Sequence, residues 1–164
     1  MKNKHLFGLL QGLFTIGTGI LSVGFVAVSG FGVGMNLLNL EKIAAQSTID
    51  VQGAGNLEAL KAASSPLMIL SVLLILAILI GISRLSSLIF KKLKQNEIFV
   101  VENVEKMKCI ALLAGSLSIL SSLPTFLMNH SGIGSGYMFD LGYLIVALLL
   151  LSFAKVWDRA NELV

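Results

Sequence analysis

Four long, uncharged apolar windows occupy most of this chain, and a short basic stretch separates the second window from the third. The windows cover residues 5–40, 62–83, 109–139 and 141–154. A helix needs about 20 apolar residues to cross the hydrocarbon core of a bilayer. Charged residues make up 13% of the chain, about half of the roughly 25% typical of soluble domains. The pattern predicts an all-α integral membrane protein, a four-helix bundle with four spans.

The windows define a single membrane domain over residues 1–164. Its predicted spans are 7–33, 64–83, 108–128 and 137–156, with an outer loop at 35–63 and a basic loop at 84–107. The fourth window is short, but Asp140 can cap the helix at one interface while Lys155 extends its charge to the other. Pro66 suits the first turn of the second span, and Pro124 is placed to kink or end the third helix.

The basic residues are distributed unequally between the two sides of the predicted membrane. The stretch from Arg84 to Lys108 holds six of them and the two terminal segments together hold four, whereas the outer loop holds only Lys42 and Lys61. Loops rich in lysine and arginine remain on the cytoplasmic side. Both termini are therefore predicted to face the cytoplasm, an N-in/C-in topology. The six basic residues of this stretch, which ends at the first residue of the third span, are Arg84, Lys91, Lys92, Lys94, Lys106 and Lys108.

The N-terminal window has an alternative interpretation as a secretory signal peptide. Lys2 and Lys4 precede the apolar run, and Ala27-Val28-Ser29 resembles a cleavage site. The run from Leu6 to Val28 is longer than the roughly 7 to 15 residues of a signal core. A retained first span is the favoured interpretation.

Small residues recur at four-residue spacing in the first and third spans. This spacing allows two helix backbones to approach closely in a membrane. We therefore expect both spans to lie at intramolecular helix contacts, with homo-oligomerisation as a second use of the same faces. The pairs are Gly8/Gly12, Gly30/Gly34 and Ala111/Gly115.

The basic loop carries its own helical pattern. Apolar residues follow helical spacing from Leu85 to Leu93, which predicts either an interfacial helix or an extension of the second span. Asn96 is suited to end this helix, and Val101 leads into the next one. Phe99 is expected to anchor the intervening turn against the bundle or the lipid interface.

The sequence contains no combination of residues that indicates a catalytic or metal-binding site. His5 and His130 fall on opposite sides of the predicted membrane, and Cys109 is the single cysteine. A nucleophile would need a base beside it, and an ion-coupled transporter usually has an ionisable group at mid-membrane depth. We expect a non-enzymatic protein without a metal or cofactor. Because the lysines flank apolar spans, the bilayer rather than nucleic acid is the expected anionic partner.

Surfaces at the basic loop and the C-terminus are the remaining candidates for function. The lysine cluster suits either a determinant of topology or a face that binds headgroups or a soluble partner. The tryptophan near the C-terminus suits an interfacial anchor or part of the same face. The candidate cytoplasmic interaction face comprises Lys91, Lys92, Lys94, Phe99, Glu102, Asn103, Trp157 and Arg159.

Two short motifs and the four-span layout carry a family resemblance. The first motif is NEIF at 96–99 followed by ENV at 102–104 and KM at 106–107, and the second is FAKVWDRANEL at 153–163. With these motifs the chain resembles the DUF2975 family of small four-span bacterial membrane proteins of unknown function. The resemblance implies a bacterial inner-membrane protein encoded beside a small helix-turn-helix regulator. A membrane partner of such a DNA-binding regulator is the first functional hypothesis, and a small transport or immunity-type protein is the alternative.

Overall fold

The computed structural model describes residues 4–37, 65–97, 100–130 and 140–162, and the regular structure within these ranges is helical throughout. Four segments within it are long and apolar enough to cross a membrane, which confirms the all-helical prediction with four candidate spans. Phe99 and the predicted outer loop beyond Leu37 lie outside the described residues. The helices are α1 (Lys4–Leu37), α2 (Pro66–Lys94), α3 (Val101–Leu120), α4 (Leu123–His130) and α5 (Leu141–Glu162).

Local capping residues explain where the helices begin. Ser65 precedes α2 with extended backbone, and its hydroxyl accepts a hydrogen bond from the Met68 N–H at 3.3 Å. Pro66 occupies the first helical position, where its missing N–H costs nothing. Before α5, the carboxylate of Asp140 accepts a hydrogen bond from the Gly142 N–H at 2.9 Å. The expected capping role of Asp140 is thereby confirmed.

A break near the end of the third candidate span separates α3 from α4. The chain turns at Ser121 and Ser122, and α4 resumes at Leu123. Pro124 lacks an N–H, and its ring would collide with the carbonyl four residues earlier, at Leu120. The last residue of α3 is Leu120, as this clash requires.

The four long helices pack as antiparallel neighbours, in the order α1, α2, α3, α5. α1 lies along α2, α2 contacts α3, and α3 packs extensively on α5, while α4 contacts α2 and α3. α3 is the central helix, and its buried residues recur every three or four positions. One helical face of α3 therefore supplies most of the core. The buried positions are Asn103, Val104, Met107, Ile110, Ala111, Ala114, Leu117 and Ser118.

The core is concentrated towards one end of the bundle. Ile89, Val104, Met107, Ile110 and Ala154 form one buried cluster. At this end α1 and α3 begin and α2 and α5 finish, and most of the chain's basic side chains lie there. We call it the basic end. Along α1, by contrast, large apolar side chains remain exposed, a pattern that suits a membrane span. They include Leu9, Leu13, Ile16, Ile20 and Val23.

Candidate interaction site at the basic end

The second candidate span continues without interruption into the charged sequence. α2 contains 29 residues, which corresponds to a length of about 44 Å, whereas the hydrocarbon core of a bilayer is only about 30 Å thick. The segment from Arg84 to Lys94 is thus an extension of the apolar helix rather than a separate interfacial helix. At the basic end, α2 is therefore a helical continuation of the apolar bundle.

The turn after α2 is built from backbone hydrogen bonds. Asn96 adopts a left-handed conformation, with φ of 65°, which asparagine tolerates better than most residues. The Asn96 N–H donates to the Leu93 carbonyl at 3.1 Å, and the Glu97 N–H donates to the Lys92 carbonyl at 3.1 Å. This pair of bonds is the Schellman motif that commonly ends a helix. Asn96 therefore ends α2, as its sequence position indicated.

Asn103 fixes this turn to α3 from within. Its side chain is fully buried, and its amide nitrogen donates to the Glu97 carbonyl at 2.9 Å. Its backbone N–H donates to the Val100 carbonyl at 2.9 Å. The sequence predicted Asn103 as part of the candidate face, whereas in the structure it is buried and stabilises the turn that carries that face.

Glu102 joins two helices through a small ion-pair network. Its carboxylate accepts a hydrogen bond from the Lys106 ammonium at 2.6 Å and another from Lys92, while Lys92 also lies 3.9 Å from Glu97. These groups lie outside the uncharged apolar windows. Hydrogen bonds from Lys106 and Lys92 lower the pKa of Glu102 to about 2. Glu102 therefore stays ionised at physiological pH, and Lys92 is already occupied by carboxylates of its own chain.

α5 is fixed at the basic end by a third ion pair and by an aromatic side chain. The Lys108 ammonium lies 2.8 Å from the Asp158 carboxylate, which links α3 to α5. Trp157 packs against the buried cluster around Met107. Trp157 thus belongs mainly to the packing of the basic end, whereas Arg159, two residues further along, is exposed.

Some basic side chains of the predicted face remain available to a partner. Lys91, Lys94 and Arg159 are exposed, and none of them makes an ion pair within the described part of the chain. The Lys94 stem lies across α1, with carbon and nitrogen atoms 3.7 Å from the position of a Cβ at Gly8. The structure thus separates the predicted cations into an internally paired one, Lys92, and three unpaired ones.

The small residues of the sequence pattern have different surroundings in α1 and α3. A Cβ built at Gly12, Gly30 or Gly34 meets none of the described atoms within 4 Å. On α3, Ala111 is buried, and a Cβ at Gly115 lies 3.7 Å from the Ala147 Cβ. The third helix therefore packs through its small pair, while the glycine pairs of α1 lie away from the other described helices, apart from Gly8 beside Lys94.

Two other glycines, which the spacing analysis did not single out, bring α1 close to α2. A Cβ at Gly32 would lie 2.9 Å from the Ile69 Cγ2, and a Cβ at Gly17 would lie 3.5 Å from the Ser83 Oγ. Neither glycine belongs to a GxxxG pair that the sequence analysis noted. The role of Gly17 and Gly32 becomes visible only when α1 and α2 are aligned antiparallel, because each glycine then faces a residue of α2.

Hydroxyl groups form a second feature that the sequence analysis missed. The Ser83 hydroxyl donates to the Phe14 carbonyl at 2.8 Å and accepts from the Thr18 hydroxyl at 3.0 Å. One turn nearer the basic end, the Thr15 and Ser87 hydroxyls lie 2.9 Å apart. We call these four side chains the hydroxyl seam. Polar residues facing each other in apolar helices are a recognised mode of membrane helix association.

Comparisons with known proteins and a search for metal-ligating clusters add no assignment. No group of three or more histidine, cysteine or acidic side chains suited to a metal occurs within the described ranges. No protein-family model, curated protein or solved structure matches the chain. The resemblance to the DUF2975 family stays a prediction.

Proposed function

We propose that this chain is a multi-pass protein of the bacterial inner membrane, with both termini in the cytoplasm, and that its basic end holds or senses a cytoplasmic protein. A DNA-binding regulator of the helix-turn-helix class is the proposed partner. The protein acts without catalysis, by sequestering the regulator at the membrane. The resemblance to a family encoded beside such regulators motivates the partner class.

The observation that carries this proposal is the projecting basic end with its unpaired cations. If the basic residues served only to keep their loop in the cytoplasm, positive charge near the spans would be sufficient. Here the charged segments are helical, the Asn103 amide joins the intervening turn to α3, and within the described ranges Lys91, Lys94 and Arg159 make no internal ion pair. A preorganised surface lowers the entropic cost of binding a partner. Acidic groups on the regulator would complement Lys91, Lys94 and Arg159.

The transport or immunity alternative receives less support. It relies on the glycine-rich first span to shape a substrate path, with Gly12 and Gly30 as the key residues. No other described atom lies within 4 Å of a Cβ at either position. Neither glycine therefore contacts a second described helix, and no observation at these positions favours a substrate path.

Site-specific photo-crosslinking in the native membrane tests the proposal. A photoreactive amino acid replaces Lys91 at the basic end, and a matched one replaces Leu67, which is 66% exposed at the opposite end of α2. We expect the Lys91 position alone to capture a soluble DNA-binding protein, which mass spectrometry identifies. Impermeant thiol reagents applied to Lys91→Cys and Leu67→Cys, in a Cys109→Ser background, test the orientation separately.

Charge substitutions then test whether capture depends on the unpaired cations. With the photoreactive residue moved to exposed Glu105, we expect Lys91→Glu combined with Arg159→Glu to abolish capture, while Lys91→Arg retains it because the charge is preserved. Undiminished capture by the charge-reversed variant, or capture of the same protein from Leu67, would rule out the basic end as the docking surface.

A further inference from the structure

An elongated apolar cavity lies among the four long helices. Its volume is about 470 Å³, within the range of ligand-binding pockets. Phe14 contributes from α1, Leu79 and Leu93 from α2, Leu117 from α3, and Tyr143 and Trp157 from α5. The lining is mostly aliphatic and aromatic, so the cavity suits a hydrocarbon rather than a polar solute.

The cavity runs parallel to the helices. Tyr143 and Trp157 both line it and are separated by about 21 Å along α5, at 1.5 Å per residue. Leu79 and Leu93 give the same span along α2. One leaflet of a bilayer contributes about half of the roughly 30 Å hydrocarbon thickness, so one acyl chain reaches about 15 Å. The cavity is therefore long enough for a single acyl chain lying along the bundle axis.

One side of the cavity is left open. α1 packs along α2 and contributes Phe14 to the lining, whereas α5 packs on α3. Within the described ranges the wall between α1 and α5 is therefore incomplete, and Val146, a lining residue of α5, is 48% exposed. A molecule in the surrounding bilayer can enter sideways through this gap without crossing a polar surface.

A cation marks the end of the cavity at the basic end. Phe90 lines the cavity and stacks on Phe14 with ring centroids 5.5 Å apart. Lys94 follows Phe90 by one helical turn and lies against α1 at Gly8. Because Lys94 makes no ion pair with a described acidic residue, its charge is available to an anionic group at the end of the bound chain.

We propose that this cavity binds one acyl chain of an anionic phospholipid from the surrounding leaflet, with the lipid phosphate beside Lys94. The second acyl chain remains in the bilayer at the opening between α1 and α5. This inference rests on the proposed placement of the chain in a membrane, but it does not require a protein partner at the basic end.

Trp157 provides a direct readout, because it lines the cavity and is the only tryptophan of the chain. The full-length protein is reconstituted in vesicles of phosphatidylcholine, with a fixed fraction of phosphatidylglycerol or phosphatidylcholine carrying brominated acyl chains. Bromine quenches the fluorescence of a tryptophan that it contacts. We expect binding to favour brominated phosphatidylglycerol about fivefold, the preference that corresponds to the roughly 1 kcal/mol contributed by one lysine near anionic lipid.

Two pairs of variants separate the site from ordinary lipid contact. Lys94→Gln is expected to remove most of the preference for phosphatidylglycerol, whereas Lys91→Gln retains it, because Lys91 lies on the exposed face of α2 with Arg84 and Leu88. Ala114→Leu places a larger side chain in the cavity and is expected to reduce quenching by both lipids. Ala77→Leu, an equal change at an exposed position of α2, leaves quenching unchanged.

The outcomes distinguish this site from the proposed membrane placement. Equal quenching by the two lipids, or equal effects of the paired substitutions, would overturn the site while leaving the membrane placement intact. Quenching by a brominated free fatty acid that phosphatidylglycerol fails to displace would overturn the phospholipid as the ligand. Absence of quenching by every brominated lipid would overturn both the site and the membrane placement.

Discussion

The two main helix pairs, α1–α2 and α3–α5, are held together in different ways. Between α1 and α2, hydrogen-bonded hydroxyls lie within the contact itself. The Ser83 hydroxyl hydrogen-bonds to both the Thr18 hydroxyl and the Phe14 carbonyl. Further from the basic end, Gly32 allows the backbones of α1 and α2 to approach closely. This contact combines polar bonds with a close glycine approach, and within the described ranges it is the only extensive contact that α1 makes.

Between α3 and α5, polar groups lie at the two ends and small side chains lie between them. Lys108 pairs with Asp158 at the basic end, and the Ser118 hydroxyl donates to the Asp140 carbonyl at 2.8 Å at the other. The intervening contact includes Gly115. The α3–α5 contact depends chiefly on van der Waals packing between its ends, whereas the α1–α2 contact has hydrogen bonds along its middle as well.

In the proposed membrane placement, the difference follows from the driving forces available to helices in lipid. Lipid tails are as apolar as leucine, so burying apolar surface between helices gains little, and close packing and interhelical hydrogen bonds dominate. The central α3 contacts α2, α4 and α5, whereas α1 has one extensive neighbour among the described helices and uses hydroxyls as well. Substitutions in the two seams should therefore have distinct effects on the free energy of unfolding.

The largest expected effect is at the α3–α5 seam. Gly115→Leu inserts a bulky side chain where a Cβ already lies 3.7 Å from the Ala147 Cβ, and we expect it to lower the free energy of unfolding by about 3 kcal/mol. Detergent-induced unfolding followed by circular dichroism measures this loss. Gly115→Ala is the control, because 3.7 Å is an ordinary carbon contact. Equal stability of the leucine variant and the wild type would contradict the packing described for this seam.

A smaller loss is expected at the glycine of the α1–α2 seam. Gly32→Ala places a Cβ 2.9 Å from the branched Ile69 side chain and should destabilise the fold by about 1–2 kcal/mol. Gly12→Ala meets no described neighbour and should instead be neutral or slightly stabilising, since alanine favours helix formation over glycine. The same unfolding assay decides the signs. A more harmful effect at Gly12 would indicate that the GxxxG face of α1 is an interface, for example between two copies of the chain.

The hydroxyl seam should contribute less than either glycine contact. Ser83→Ala removes two hydrogen bonds between α1 and α2, and at about 0.6 kcal/mol for each interhelical bond we expect a loss near 1 kcal/mol. Ser152→Ala is the matched control, because the Ser152 hydroxyl bonds only to Leu148 of its own helix among the described residues. Equal unfolding free energies for the two variants would remove the seam as a source of stability.

The positions and ends of the helices are largely predictable, because they depend on neighbouring residues in the sequence. Apolar windows predict the four long helices, and side-chain chemistry predicts their ends. Asn96 tolerates the left-handed backbone that ends α2, Asp140 caps α5, and Pro124 excludes continuation of α3 past Leu120. Each inference needs only neighbouring residues, so it does not depend on how the helices pack.

The packing faces were less predictable because they depend on helix rotation. In α1 the glycine spacing singled out Gly12, Gly30 and Gly34, whereas Gly17 and Gly32 are the ones with close neighbours on α2. The candidate interaction face shows the same limitation. Lys91 and Lys92 are adjacent in the sequence, but only the fold shows Lys92 turned towards the Glu102 carboxylate and Lys91 turned outward.

The smallest expected effect is at the charged end of the α3–α5 seam. Lys108 and Asp158 are each nearly half exposed, and solvent screens their attraction. Lys108→Gln should therefore lower the free energy of unfolding by no more than about 0.5 kcal/mol at low salt, and this difference should disappear at high ionic strength. The Gly115→Leu loss should persist at both salt concentrations, because packing is not screened. Measuring both variants across a salt series thus separates the polar ends of the seam from its packed middle, and a salt-dependent loss at Gly115 would show that the two are coupled.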